Sequence, residues 1–176
     1  SDEEQLDSAR EVNAVFKGAV AQVQLQVLDG DWDVVENYGR TPRGCGGASD
    51  RNEYQFSMSR ATPSGWKLGQ PPAELGDEIA AWFDENGWSG IKLRTYSEGI
   101  ADVVVEAKKP DEFAGLVVVD IKPGELFDTV TVRAKSTCES GDWMTIYDQQ
   151  AGSAPDADPV ELPATEYPTD TPIFDG

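Results

Sequence analysis

The chain has 176 residues, 14 basic against 33 acidic side chains for a net charge of −19, and no histidine. That length suits one domain able to bury a sizeable core, while the charge would repel phosphate backbones and anionic membrane surfaces and so excludes nucleic acid as a partner. Without histidine, serine–histidine and cysteine–histidine catalysis and histidine-bearing zinc sites are excluded as well.

The opening Ser1-Asp2-Glu3-Glu4-Gln5 is polar and lacks methionine, as expected of a mature chain trimmed upstream. A lipid on that removed part would be the only link to a membrane, since no apolar run approaches the roughly 20 residues of a spanning helix. Leu6, Ala9, Val12, Phe16, Val20, Val23 and Val27 recur every three or four positions, which predicts a long amphipathic helix capped by Ser1 or Asp2 and ended by Asp29-Gly30. Gln22 to Val27 also alternates with period two, so a strand is an alternative there, with helix favoured.

Gly39, Pro42, Gly44, Gly46 and Gly47 predict an irregular loop over residues 31–52, holding Cys45. Tyr54, Phe56 and Met58 alternate with Gln55, Ser57 and Ser59 as a half-buried strand, and Pro63-Ser64-Gly65 turns the chain. Pro71-Pro72 introduce a second helix over 73–86, with Leu75, Ile79, Trp82 and Phe83 on one face and Gly87 just beyond its end. A meander follows, with strands at 91–96, 101–107, 116–121 and 128–135 and turns at Ser97-Glu98-Gly99 and Pro123-Gly124. In the last strand Val130, Val132 and Ala134 alternate with Thr129, Thr131, Arg133 and Lys135, so one of its faces is wet.

The expected fold class is α+β, an antiparallel meander sheet of about five strands with two helices packed on one face. Residues 1–150 form the single domain and 151–176 an acidic, Pro-rich tail without Lys or Arg. Composition alone predicts disorder in the tail; Leu162, Tyr167, Ile173 and Phe174 are the candidate anchors through which it would dock on a folded surface.

Cys45 and Cys138 lie far apart with no CxxC or CxxxC pairing, which reads as one structural disulfide in an exported protein. Closing so long a loop contributes on the order of 4 kcal/mol in the chain-entropy model.

Other chemical signals are thinner. Ser64-Gly65-Trp66-Lys67 matches the S-x-x-K motif in which a lysine helps activate a serine, yet Gly69, Pro71 and Pro72 follow and only Lys122-Pro123-Gly124 echoes a companion element, so chance is the better reading. Asp29, Asp31 and Asp33 begin like a calcium loop, but Val34 stands where glycine is required and Arg40 where the bidentate glutamate belongs. They are the weak metal candidates, and a solvated turn is favoured over them. Paired carboxylates could act as acid and base in a cleft, though their abundance singles out no pair. Trp66, Trp88 and Trp143 are candidates for an aromatic platform under a glycan or peptide, although core packing is the favoured reading for Trp88 and Trp143 and still more so for Trp82 and Phe83 on their helix. No catalytic residue and no cofactor is assigned.

In order, the N-terminal helix is followed by Tyr38-Gly39 and Gly44-Cys45, the Gly65-Trp66 turn, Trp82-Phe83 through Gly87-Trp88, Tyr96 with Gly99, and Ser136-Thr137-Cys138. Over about residues 5–142 this layout resembles the small actinobacterial cell-envelope lipoproteins of uncharacterised function, and is similar to the LppA-like lipoproteins. The resemblance implies a membrane-tethered domain outside the cytoplasmic membrane with one disulfide between Cys45 and Cys138, and transfers no catalytic residue. The expected function is that of an exported, lipid-anchored, non-enzymatic binding or structural module for a protein, peptide or glycan. The alternatives are a carboxylate- or metal-dependent hydrolase of an envelope substrate, and an acidic solvating protein with its carboxylates spread evenly.

Overall fold

The N-terminal stripe folds as its spacing predicts, into helix α1 (Asp2–Leu25), with Ser1 and Glu4 forming a reciprocal capping box. The computed structural model describes residues 1–39, 41–47, 51–153 and 165–166, the side chains of 36–38, 150–153 and 165–166 excepted. Leu6, Ala9, Val12, Phe16, Val20 and Val23 are buried along one face of α1. Helix prevails over the strand alternative as far as Leu25; the chain then turns, with the Val27 and Leu28 N–H groups bonded to the Gln24 carbonyl ahead of Asp29-Gly30.

Residues 31–52 are not the irregular loop that their glycines predict, because β1 (Trp32–Tyr38) runs through them. Trp32 is fully buried and its Nε1–H donates to the Leu28 carbonyl at 3.1 Å, so one large ring holds the strand start against the end of α1. Its polar residues and a register shift between Val34 and Tyr38 hide the alternation that would have marked it as a strand. Only a two-residue strand, β2 (Arg43–Gly44), follows before Cys45.

The single strand expected around Tyr54 is two, β3 (Glu53–Gln55) and β4 (Ser57–Ala61), divided at Phe56. The Phe56 N–H donates to Ser136 Oγ and its carbonyl accepts the Ser136 N–H, both at 2.9 Å, so the break is fully hydrogen-bonded. Helix α2 (Pro72–Glu85) buries Leu75, Gly76, Ile79 and Phe83, and Gly87 stands past its end at φ +80°. The meander appears as β5 (Ser89–Thr95), β6 (Val103–Lys109), β7 (Ala114–Lys122) and β8 (Thr129–Ser136), followed by β9 (Glu139–Ser140).

The fold is α+β. Six antiparallel strands in the order β1-β4-β8-β7-β6-β5 form the sheet, and the two-residue β10 (Thr165–Glu166) adds a seventh against β1; β2-β3-β9 make a small separate sheet. A third helix, α3 (Trp143–Ser153), packs on α1. Its apolar residues form no clean stripe, since Ile146 is buried while Met144 and Tyr147 are exposed, and periodicity could not reveal it.

Helices α1 and α2 lie on the same face of the sheet and bury Val105, Val117, Val119, Ile121, Val130 and Val132 under Phe16, Val20, Ile79 and Phe83. One end of the molecule holds the start of α1, the short 3₁₀ turn Pro110–Glu112 and the small sheet, with Gln5 Oε1 accepting the Asp142 N–H. The turns after β4, β5 and β7 gather at the other end. The tail anchors Leu162, Tyr167, Ile173 and Phe174 lie outside the described residues.

Candidate functional site

Among the described residues no helix covers the second face of the sheet, and the strand period decides what stands on it. The register sets Ser57 and Ser59 of β4 beside Lys135 and Arg133 of β8, and these beside Leu116 and Val118 of β7. Val118 then meets Glu106 of β6, and Glu106 meets Lys92 of β5. Lys92, Arg94, Lys108, Lys122, Arg133 and Lys135 all project from this face, six of the 14 basic residues in a chain whose net charge is −19. Across β4 to β8 only Glu106 and Asp120 oppose them, while Asp33 stands at the β1 edge.

Asp120 is almost buried beneath the cations, with Oδ2 at 3.5 Å from Arg133 and 3.7 Å from Lys122. Its Oδ1 has no hydrogen-bond partner among the described residues. Glu106 lies 3.6 Å from Arg94. Arg94, Lys122 and Arg133 remain more than half exposed, so the two carboxylates leave most of the positive field facing water. Between β4, β8 and β7 the face dips into a shallow groove of about 210 Å³ that reaches Met58 and Ala134, with Leu116 and Val118 as apolar floor and Ser57, Ser59, Arg133 and Lys135 as polar rim. Sequence reading noted the wet side of β8 but not this face. The signal lay in Lys92 and Arg94 alternating with Ile91 and Leu93, and in Lys122 two positions beyond Asp120.

Cys45 and Cys138 are bonded, with Cα atoms 6.0 Å apart, and tie the loop after β2 to the residue preceding β9. Such a bond persists in oxidising, extracytoplasmic surroundings. Among the described residues no helix is long and apolar enough to cross a membrane. The one grouping of three ligating side chains found among them is Cys45, Cys138 and Glu53, and the bond engages both sulfurs, leaving a lone carboxylate.

Asp29 and Asp31 are exposed on the turn after α1, Asp33 sits in β1, and they do not converge on one point. Ser64 and Lys67 lie in the turn where the Trp66 N–H bonds the Pro63 carbonyl, not at the start of a helix. The three tryptophan candidates are placed apart. Trp88 is buried against Trp82 and Phe83, its ring centroid 4.9 Å from that of Phe83, which is core packing. Trp66 is half-buried in the turn after β4, and Trp143 is half-buried at the first position of α3, at the opposite end.

Near Trp66 one carboxylate joins two loops, the one between β4 and α2 and the β7–β8 turn. Asp128 accepts the Leu68 N–H at 2.8 Å and the Gly124 N–H at 3.0 Å, and its own N–H donates to the Trp66 carbonyl. The Leu68 and then the Gly124 amide hold its pKa below the ordinary 3.8. Tyr54 is buried near the disulfide end, and burial pushes its phenol up to about 12. Asn13 of α1 donates to the Gly39 carbonyl just past β1, a polar tie between helix and sheet, and the buried Arg60 donates to the carbonyl of its β4 neighbour Ser59.

Compared with protein-family models, curated proteins and solved structures, the chain matches none.

Proposed function

We propose that the chain is an exported, lipid-tethered module of the cell envelope, without catalytic activity, that holds an acidic peptide segment of a partner protein along the open face of its sheet. The observation that carries this is the gathering of six basic side chains against two carboxylates on strands β4 to β8 of a strongly acidic protein. A face charged against the sign of its molecule attracts a short anionic segment at close range, while the rest of the protein repels a long polyanion. The apolar floor of Leu116 and Val118 suits the alternate side chains of an extended peptide, which a purely charged polymer would not use. The Cys45–Cys138 bond supports a place outside the cytosol, which is also what the resemblance to envelope lipoproteins implies.

The test is an anisotropy titration with a short fluorescent peptide of alternating glutamate and valine. Binding should weaken with added salt and fall roughly tenfold or more in the Arg133→Glu, Lys135→Glu double variant. The Lys67→Glu variant, altered away from the face, should bind as the parent does. Equal binding by all three proteins would refute the assignment.

A further inference from the structure

We propose that the free edge of β5 takes an extended acidic segment of a partner protein as one further strand of the sheet, a contact separate from the groove between β4, β8 and β7 and not dependent on it. The two edges of the sheet differ. At one of them β10 pairs with β1. At the other, among the described residues, β6 is the only neighbour of β5, so alternate N–H and C=O groups along its outer side point away from the sheet. Every residue of β5 except Ile91 is exposed, whereas β6 is mostly buried. Gly90, at φ +60°, and the register shift between Ser89 and Lys92 bend the start of the strand and leave Lys92–Thr95 as its regular stretch.

Charge decides the occupant. Lys92 and Arg94 stand on the open face, and Leu93 on the other, beside Gly76 of α2 and still 38% exposed. On the inner side Glu106 of β6 sits opposite Lys92 and 3.6 Å from Arg94, whose side chain remains 57% exposed. A carboxylate at the matching position on the outer side would repeat that arrangement. A second copy of β5 does not fit, because antiparallel pairing centred on Lys92, Leu93 or Arg94 sets a cation of one copy directly opposite a cation of the other, which is destabilising. The strand that fits alternates acids, beside Lys92 and Arg94, with apolar residues that continue the Leu93 side along α2. It would also lie at the margin of the cationic face, within the same attractive field.

The test uses the full chain and the labelled glutamate–valine peptide in two N-methylated forms, one methylated on its glutamate nitrogens and the other on its valine nitrogens. In an added strand only one of these alternate sets points at β5. In the Arg133→Glu, Lys135→Glu variant, where the groove is disabled, one form should therefore bind about tenfold more weakly than the other. In the same background Lys92→Gln, Arg94→Gln should weaken the unmethylated peptide about tenfold. Equal affinity of the two methylated forms, or no binding to the groove variant, overturns the added strand. If the Arg133→Glu, Lys135→Glu variant binds as tightly as the parent while the methylated forms still differ, the groove reading fails and the β5 edge stands.

Discussion

Gly76 of α2 and Val103 of β6 set how closely the helix approaches the sheet, since a Cβ at Gly76 would come within 2.6 Å of Val103 Cγ1. Alanine normally gains about 1 kcal/mol over glycine inside a helix. Here that gain is outweighed by overpacking, which costs typically about 1–3 kcal/mol. Gly76→Ala is therefore expected to destabilise the protein by about 1 kcal/mol, and paired Gly76→Ala, Val103→Ala to behave better than the two single effects summed. Denaturant midpoints of the four proteins check both statements.

Removing the Cys45–Cys138 bond frees a loop with a sequence separation of 93 residues. In the chain-entropy model the loss is on the order of 4 kcal/mol, a large share of an ordinary domain's stability. Urea unfolding of Cys45→Ala, Cys138→Ala, compared with the oxidised parent, should show a lower midpoint. A thiol assay on the unreduced, denatured parent should find no free sulfhydryl.

Tyr54 should ionise above the ordinary range of a phenol. Its folded pKa of about 12 lies above the ordinary 10.0 because burial penalises the phenolate. The stability this group contributes is fully present below pH 10 and is lost as pH rises towards about 12. Ultraviolet titration should show a late step that vanishes in Tyr54→Phe, and the parent should unfold in that same alkaline interval.

Asp128→Asn should loosen the junction between the β4–α2 segment and the β7–β8 turn. Its depressed pKa means that the stabilisation is present above 3.8 and is lost as pH falls through the lower folded value. The variant is expected to be cut faster by protease between residues 63 and 71 at neutral pH, and to lose less stability than the parent on acidification. Limited proteolysis and melting curves across that pH range are the measurements.

Much of this was legible in the chain because alternation and capping are local. The α1 stripe, the Pro-to-Gly span of α2 and the four meander strands fall within a few residues of their expected positions. Strand β1 was hidden because its glycine-rich sequel looked like loop and its register shifts midway, so burial of Trp32 is visible only in three dimensions. The basic face was half visible. Each strand shows a cation or two at alternate positions, but only the antiparallel register stacks Arg133, Val118, Glu106 and Lys92 in one row. Trp88 stands near a helix end in sequence, which left a platform open as the lesser alternative; its rings pack against Trp82 and Phe83 in the core, as the favoured reading had it.

Helix α1 runs for 24 residues, about 36 Å at 1.5 Å per residue. It runs from the disulfide end of the molecule to the end where Trp66 and Asp128 meet. The disulfide and the Asp128 junction are thus held a full helix length apart, so a change at one end reaches the other through the packed stripe of α1.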